Sequence, residues 1–385
     1  MWQRKSNEGN KKEHGKVKVS NESIDDTSCG SKTVVKSIIV FTVMLYVAIP
    51  LMLAFIPQIV EQIVFMNLYY AKNEPASLSQ PSTQYELFGT ASFRMQCDND
   101  ELGVWHVLPK SKMTEYKEDD VLTSDVVRTH LKDAEHVIVY HHGNGMSRGT
   151  GDHYQRPELY KLLQSQGYHI IAFDYRGFGD STGWPSEKGL VNDSLCILNW
   201  VRGSIASNAK LTYWGHSLGS SIATLAAKKA ADICEKDHNL NTGYKIDNLI
   251  LEGALTNVRQ GAEDSSLSQI FMVIYPKSIF RFVLENALTV KDISLSTIND
   301  IAKVNCPIML LHAEDDSDIK CKHSDELYVA VSKATQTDRR KRIEFVKFKA
   351  SHGYGHMDIY KAPELPQLLS NFLTDKDNSD RVVTL

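Results

Sequence analysis

Ser217 lies in Gly215-His216-Ser217-Leu218-Gly219, a Gly-x-Ser-x-Gly pentapeptide. By itself the pattern is weak, because glycine and serine at about 7% each produce it by chance in roughly one chain in ten of this length. Its surroundings carry more information. The apolar run 209–214 before it reads as a strand, and LGSSIATLAAKKA from Leu218 onward reads as a helix. A serine on such a sharp strand-to-helix turn needs small flanking residues, here Gly215 and Gly219, and the turn leaves its hydroxyl exposed above the sheet. The bland alternative is an ordinary turn serine.

A neutral hydroxyl is a poor nucleophile, so a base must take its proton and an acid must orient that base. For a serine in this setting the partners follow in the order acid, then histidine. The segment His312-Ala313-Glu314-Asp315-Asp316-Ser317-Asp318 offers four carboxylates; Asp316 is favoured, Asp315 is next, and the rest fit a solvated acidic loop. Further on, Ser351-His352-Gly353-Tyr354-Gly355-His356 offers two bases, and His356, directly before the last helix, is favoured over His352. The two histidines lack both helical spacing and a third ligand, so no metal site is expected. Attack on a carbonyl creates an oxyanion that backbone N–H groups must hold. The expected donors are Leu218, which follows the nucleophile, and Asn144, in the loop His141-His142-Gly143-Asn144-Gly145. That loop is not a phosphate-binding one, because no Gly-Lys-Ser/Thr follows. The chemistry requires no cofactor.

These residues need a scaffold. Strand-like runs occur at 85–95, 101–109, 136–142, 168–174, 209–214, 246–252, 307–312 and 343–348, eight in all, with helical patterns at 154–166, 187–203, 218–231, 322–334 and 361–374. Near-continuous apolar strands alternating with helices predict an α/β fold, a mostly parallel sheet covered on both faces, with the first two segments as an antiparallel edge. Residues 262–300, rich in aromatics, break the rhythm and read as an inserted cap or as an ordinary core helix pair. The chain carries 43 Lys and Arg against 47 Asp and Glu, so nucleic acid is not the default partner. Six scattered cysteines (29, 97, 196, 234, 306, 321) suit buried thiols better than a disulfide or zinc framework.

Residues 37–60 contain no charge. At about 1.5 Å per residue they would give roughly 36 Å of helix, enough to cross a hydrocarbon core of about 30 Å. The long polar head before them argues against a cleaved signal peptide, and Pro50 and Pro57 are expected to kink the helix. Residues 1–36 carry eight Lys and Arg, whereas residues 61–80 carry only Lys72, so the head is expected to stay cytoplasmic. The expected organisation is a polar tail (1–36), an anchor (37–60), a linker (61–84), a catalytic domain (85–375) and a tail (376–385). The domain would then lie in the lumen of the endoplasmic reticulum or outside the cell, where the sequon at Asn192 meets the glycosylation machinery.

Taken together, HHGNG (141–145), DYRGFGDSTGWPSEKG (174–189), YWGHSLGS (213–220), LHAEDD (311–316) and GYGHMDIYKAPELP (353–366) resemble the α/β-hydrolase superfamily. More narrowly, the chain is similar over about residues 33–375 to the membrane-anchored lysophosphatidylserine and monoacylglycerol lipases. The resemblance implies Ser217, Asp316 and His356 as a triad and a lumenal catalytic domain. Departures fall at Ser317-Asp318-Ile319-Lys320, Gly253-Ala254-Leu255 and Gly145-Met146, around the expected pocket, where they bear on substrate rather than chemistry. The expected activity is hydrolysis of lysophospholipid or monoacylglycerol esters, with the lipid delivered from the bilayer. Arg176, Lys188, Arg259 and Lys320 are candidates for an anionic head group, or plain surface charges. A thioesterase or peptidase on the same triad is the main rival; a non-catalytic membrane-anchored scaffold is the other, though no triad residue is missing.

Overall fold

β1 (Thr90–Cys97) and β2 (Asp100–Val107) form an antiparallel hairpin, and β2 runs antiparallel to β4 (His169–Phe173). From there the sheet continues in parallel through β3 (His136–His141), β5 (Lys210–His216), β6 (Asn248–Glu252), β7 (Ile308–Ala313), β8 (Ile343–Phe348) and β9 (Arg381–Thr384), in the order β1-β2-β4-β3-β5-β6-β7-β8-β9. The structure, a computed structural model, describes residues 26–67, 78–116, 122–149, 155–236, 243–264, 266–335, 342–374 and 380–385.

β4, β6 and β7 are buried at every position, as expected of strands with both faces covered. Alternate residues supply two cores. Val139, Tyr213, Leu251, Leu310 and Phe345 face the helices Glu187–Arg202 and Leu218–Lys236, while Tyr140, Trp214, Ile250, Leu311 and Val346 face Gln155–Ser165 and Leu365–Leu373. Parallel pairing makes each strand deliver its carboxyl end to the same edge, and the candidate residues follow those ends.

Several expectations differ from the structure. The sheet has nine strands, because residues 381–384, read as tail, pair with β8 along its open edge. A four-residue strand among polar neighbours carries too little periodicity to detect. The first strand begins at Thr90, and Pro81–Tyr85 is a short helix instead. The cysteines are not all thiols: Cys97, at the end of β1, is bonded to Cys196 in the helix Glu187–Arg202. Cys306 is buried and Cys234 and Cys321 are half-buried, none of them in a disulfide.

Among the described residues, one apolar helical stretch is long enough to cross a membrane, Lys32–Phe55. It contains a π-helical turn at Met44–Ala48 just before Pro50, the local unwinding expected where a proline removes a backbone donor. The helix ends at Ile56, and Pro57 opens a new one, Pro57–Phe65, with proline at its favoured first position. Leu51–Leu385 form one compact unit. Within it Pro57–Phe65 packs on the helix Lys277–Val290, the longest of those between residues 258 and 300. Asn286 Nδ2 donates to the Ala54 carbonyl at 2.6 Å, and Lys291 Nζ meets the buried Glu61 carboxylate at 2.7 Å. Residues 61–67, expected as linker, are thus part of the folded body.

Candidate active site

Ser217 connects β5 to the helix Leu218–Lys236 with φ of +53°, a left-handed conformation that serine rarely adopts. The surrounding backbone over-determines it. Ser217 N–H donates to the Glu252 carbonyl at 2.9 Å, while Ser220 N–H and Oγ both donate to the Ser217 carbonyl at 2.9 and 2.6 Å. A β-carbon at Gly219 would run into the His141 carbonyl, so only glycine lets the helix start against β3. The turn presents the half-buried serine above the carboxyl edge.

Asp316 follows β7 and His356 follows β8. His356 Nδ1 donates to Asp316 Oδ2 at 2.7 Å, with side chains 9% and 1% exposed. The other carboxylate oxygen, Oδ1, accepts the backbone N–H groups of Asp318 and Ile319 at 2.9 and 2.8 Å. Burial alone would raise the Asp316 pKa, but hydrogen bonds from His312 and His356 outweigh it and hold the carboxyl well below the usual carboxylate range. Burial likewise pulls the His356 pKa down, yet the Asp316 hydrogen bond and charge leave it above its ordinary value. With its hydrogen on Nδ1, His356 keeps Nε2 free to accept a proton.

His356 is held next to the serine turn by His216, whose Nε2 donates to the His356 carbonyl at 2.9 Å; the two rings lie 4.7 Å apart. Burial, followed by the neighbouring His356, keeps His216 unprotonated, with a pKa of about 3. The alternatives identified in the sequence go elsewhere. Asp315 accepts the Gly355 N–H at 3.1 Å and so braces the turn carrying His356, while His352 is exposed and stacks on Tyr354.

On the opposite side, the loop after β3 approaches Ser217. A β-carbon on Gly143 would lie 3.2 Å from the serine Cβ. Asn144 is fixed by its side chain, whose Nδ2 donates to the Val64 carbonyl at 2.6 Å and whose Oδ1 accepts Gly145 N–H at 3.0 Å. Leu218 opens its helix, so its N–H is among those without an intrahelical acceptor.

Several neighbours had no sequence signal. His312 Nε2 sits 3.2 Å from Asp316 Oδ2, a second imidazole on the same oxygen. Glu252 is buried beneath the serine turn, accepts Trp214 Nε1–H at 2.9 Å, and is pushed by burial to a pKa of about 7. Of the head-group candidates, Arg176 is committed to Asp193 (2.6 Å) and Asp100 (3.2 Å), and Arg259 to Glu285 (3.0 Å). Lys188 and Lys320 remain exposed, and Lys320 Nζ donates to the Ser317 carbonyl at 3.3 Å.

Residues 136–261 match the family model of the alpha/beta hydrolase fold. The chain is 36% identical to the lysophosphatidylserine lipase ABHD12 of Xenopus tropicalis, over 87% of this chain and 81% of that one. It is 33% identical to that of Danio rerio, over 88% and 83%. Among solved structures, an alpha-beta hydrolase from Vibrio vulnificus superposes with a TM-score of 0.54 at 16% identity, covering 82% of this chain and 92% of the other. A Pyrococcus furiosus esterase gives 0.52 at 14% identity, covering 76% and 93%. The fold, the arrangement at its carboxyl edge and these likenesses over most of the chain agree: the chain belongs to the α/β-hydrolase family, in the branch of the lysophosphatidylserine lipases ABHD12.

Proposed function

We propose that the protein is a membrane-anchored serine hydrolase that cleaves the acyl ester of lysophospholipids, lysophosphatidylserine foremost, and of monoacylglycerols. The observation that carries this reading is the His356–Asp316 pair, held by His216 beside the serine turn. Ser217 Oγ attacks the ester carbonyl as His356 Nε2 takes its proton, and Asp316 stabilises the imidazolium. The backbone N–H groups of Leu218 and Asn144 receive the oxyanion. Collapse expels the alcohol or lysophospholipid head group with the proton from His356. Water, deprotonated by the same histidine, then releases the fatty acid. The names of the relatives support lysophosphatidylserine as substrate, and an apolar helix long enough to span a membrane in the same chain suits a substrate that partitions into the bilayer.

Two features support a lumenal catalytic domain, in the endoplasmic reticulum or at the cell surface. The Lys and Arg excess before the span keeps the head cytoplasmic, and the Cys97–Cys196 bond is at home in an oxidising compartment. Asn192 lies mid-helix, half-buried, with its side-chain oxygen on Lys229 Nζ at 2.9 Å, so any glycan there is added before that helix packs.

The test is labelling of the membrane-inserted protein by a serine-reactive fluorophosphonate, wild type against Ser217→Ala, with hydrolysis of a lysophosphatidylserine and monoacylglycerol panel. Loss of labelling and of hydrolysis in the variant is the expected result. A folded wild type that neither labels nor hydrolyses any ester in the panel overturns the reading.

A further inference from the structure

Arg156 occupies the first turn of the helix Gln155–Ser165, is 1% exposed, and takes no part in the chemistry proposed above. Its guanidinium faces back onto the loop after β3. Nη1 donates to the Ser147 carbonyl, and Nη2 donates to the Gly143 carbonyl at 3.3 Å. The same Gly143 oxygen accepts from His142 Nδ1 at 2.8 Å. Arg156 therefore grips both ends of the loop that approaches Ser217.

The Gly143 oxygen and the Asn144 N–H belong to one peptide unit. In a planar trans peptide these two groups point in opposite directions. Two donors draw the oxygen to the protein side of the loop, which turns the N–H to the other side. The loop lies against the serine turn: a β-carbon on Gly143 would stand 3.2 Å from the Ser217 Cβ. A cationic donor on a carbonyl also polarises the peptide, making its N–H a better donor in a buried setting. The charge is felt around the site: after burial, and at His216 also after His356, Arg156 contributes to holding His142 and His216 unprotonated.

We propose that Arg156 is a positioning residue that aims and polarises the Gly143–Asn144 peptide, so that the Asn144 N–H meets the oxyanion in the transition state. The inference rests on the hydrolase reading and deepens it. A purely structural Arg156 would stabilise the loop without discriminating ground state from transition state.

The experiment uses the full-length, membrane-inserted chain as wild type, Arg156→Lys and Arg156→Met, with para-nitrophenyl butyrate as substrate and an alkyl trifluoromethyl ketone as transition-state mimic. Losing an oxyanion donor outright costs about 10² to 10³ in turnover, so a misaligned donor is expected to cost about 10- to 100-fold. In Arg156→Met, kcat should fall by that factor with KM within about twofold, and the ketone inhibition constant should rise in step, since only transition-state contacts are lost. Arg156→Lys, which keeps the charge but not the fork, should fall in between. A folded Arg156→Met with wild-type kcat overturns the proposal, as does a kcat loss with unchanged ketone affinity. If that variant does not fold, Arg156→Lys decides, and wild-type kcat and ketone affinity there overturn it. Wild type failing to label at Ser217 or to hydrolyse the ester would sink the hydrolase reading itself; an active wild type with unaffected variants sinks this inference alone.

Discussion

Replacing Asp316 by asparagine tests the base assignment most directly, because the structure dictates where the amide must go. Oδ1 is fixed by two backbone N–H groups, from Asp318 and Ile319, which only an oxygen can satisfy. The substituted side chain therefore directs its NH2 at His356 Nδ1, where Oδ2 now accepts at 2.7 Å. Two donors cannot share that contact, so Nδ1 gives up its hydrogen and Nε2 acquires it. The imidazole is then in the wrong tautomer to accept the serine proton. In serine hydrolases this exchange lowers turnover by about 10⁴, equivalent to about 5 kcal/mol at roughly 1.36 kcal/mol per decade. The pH profile supplies an independent check. The base works deprotonated, and its pKa is raised above the ordinary 6.5 by Asp316, so the acid limb of wild-type kcat/KM should lie above that value. In Asp316→Asn the largest raising influence is gone, leaving only the charges of Asp318 and Glu252, and the residual activity should persist to lower pH. Steady-state ester hydrolysis between about pH 5 and 9 reads both quantities. An Asp316→Asn protein that keeps more than about a tenth of wild-type turnover, or an unmoved acid limb, refutes the reasoning.

Two further outcomes concern stability. The Cys97–Cys196 bond spans 99 residues, and closing a loop near that length is worth about 4.7 kcal/mol in the chain-entropy account. The Cys97→Ala/Cys196→Ala double variant should therefore melt roughly 10 °C lower at about 2 °C per kcal/mol, and an unchanged melting curve under reducing and non-reducing conditions would contradict the bond. Lys291→Met strips the cation from the buried Glu61 carboxylate, and should destabilise the folded body by about 3 kcal/mol; adding Glu61→Gln should restore much of it in a denaturant titration.

The serine turn was legible because it imposes local chemistry: a left-handed serine between glycines, with a strand before and a helix after, leaves a mark within one pentapeptide. Asp316 and His356 could be narrowed by chain order, and their neighbours Asp315 and His352 differ from them only in where the turns direct them. What escaped depends on contacts between residues remote in sequence. Cys97 and Cys196 carry no spacing signature across 99 positions. Arg176 looked available for a head group, since nothing in the sequence placed Asp100 and Asp193 on either side of it. Two misses are local instead: His312 reaches Asp316, four residues on, only through the turn after β7, and β9 is too short to have a period.

The bond from Asn144 Nδ2 to the Val64 carbonyl joins the loop after β3 to the helix that follows the long apolar one. Asn67 adds a second tie, to the Gly177 carbonyl at 3.1 Å. Proteolytic shedding therefore has two different meanings along a short stretch of chain. A cut before Leu51 leaves Pro57–Phe65 on the same fragment as the loop after β3, which stays braced. A cut between residue 67 and Thr90 removes the covalent link to that brace, so Ser217, Asp316 and His356 lie on one fragment and the partner that fixes Asn144 lies on the other.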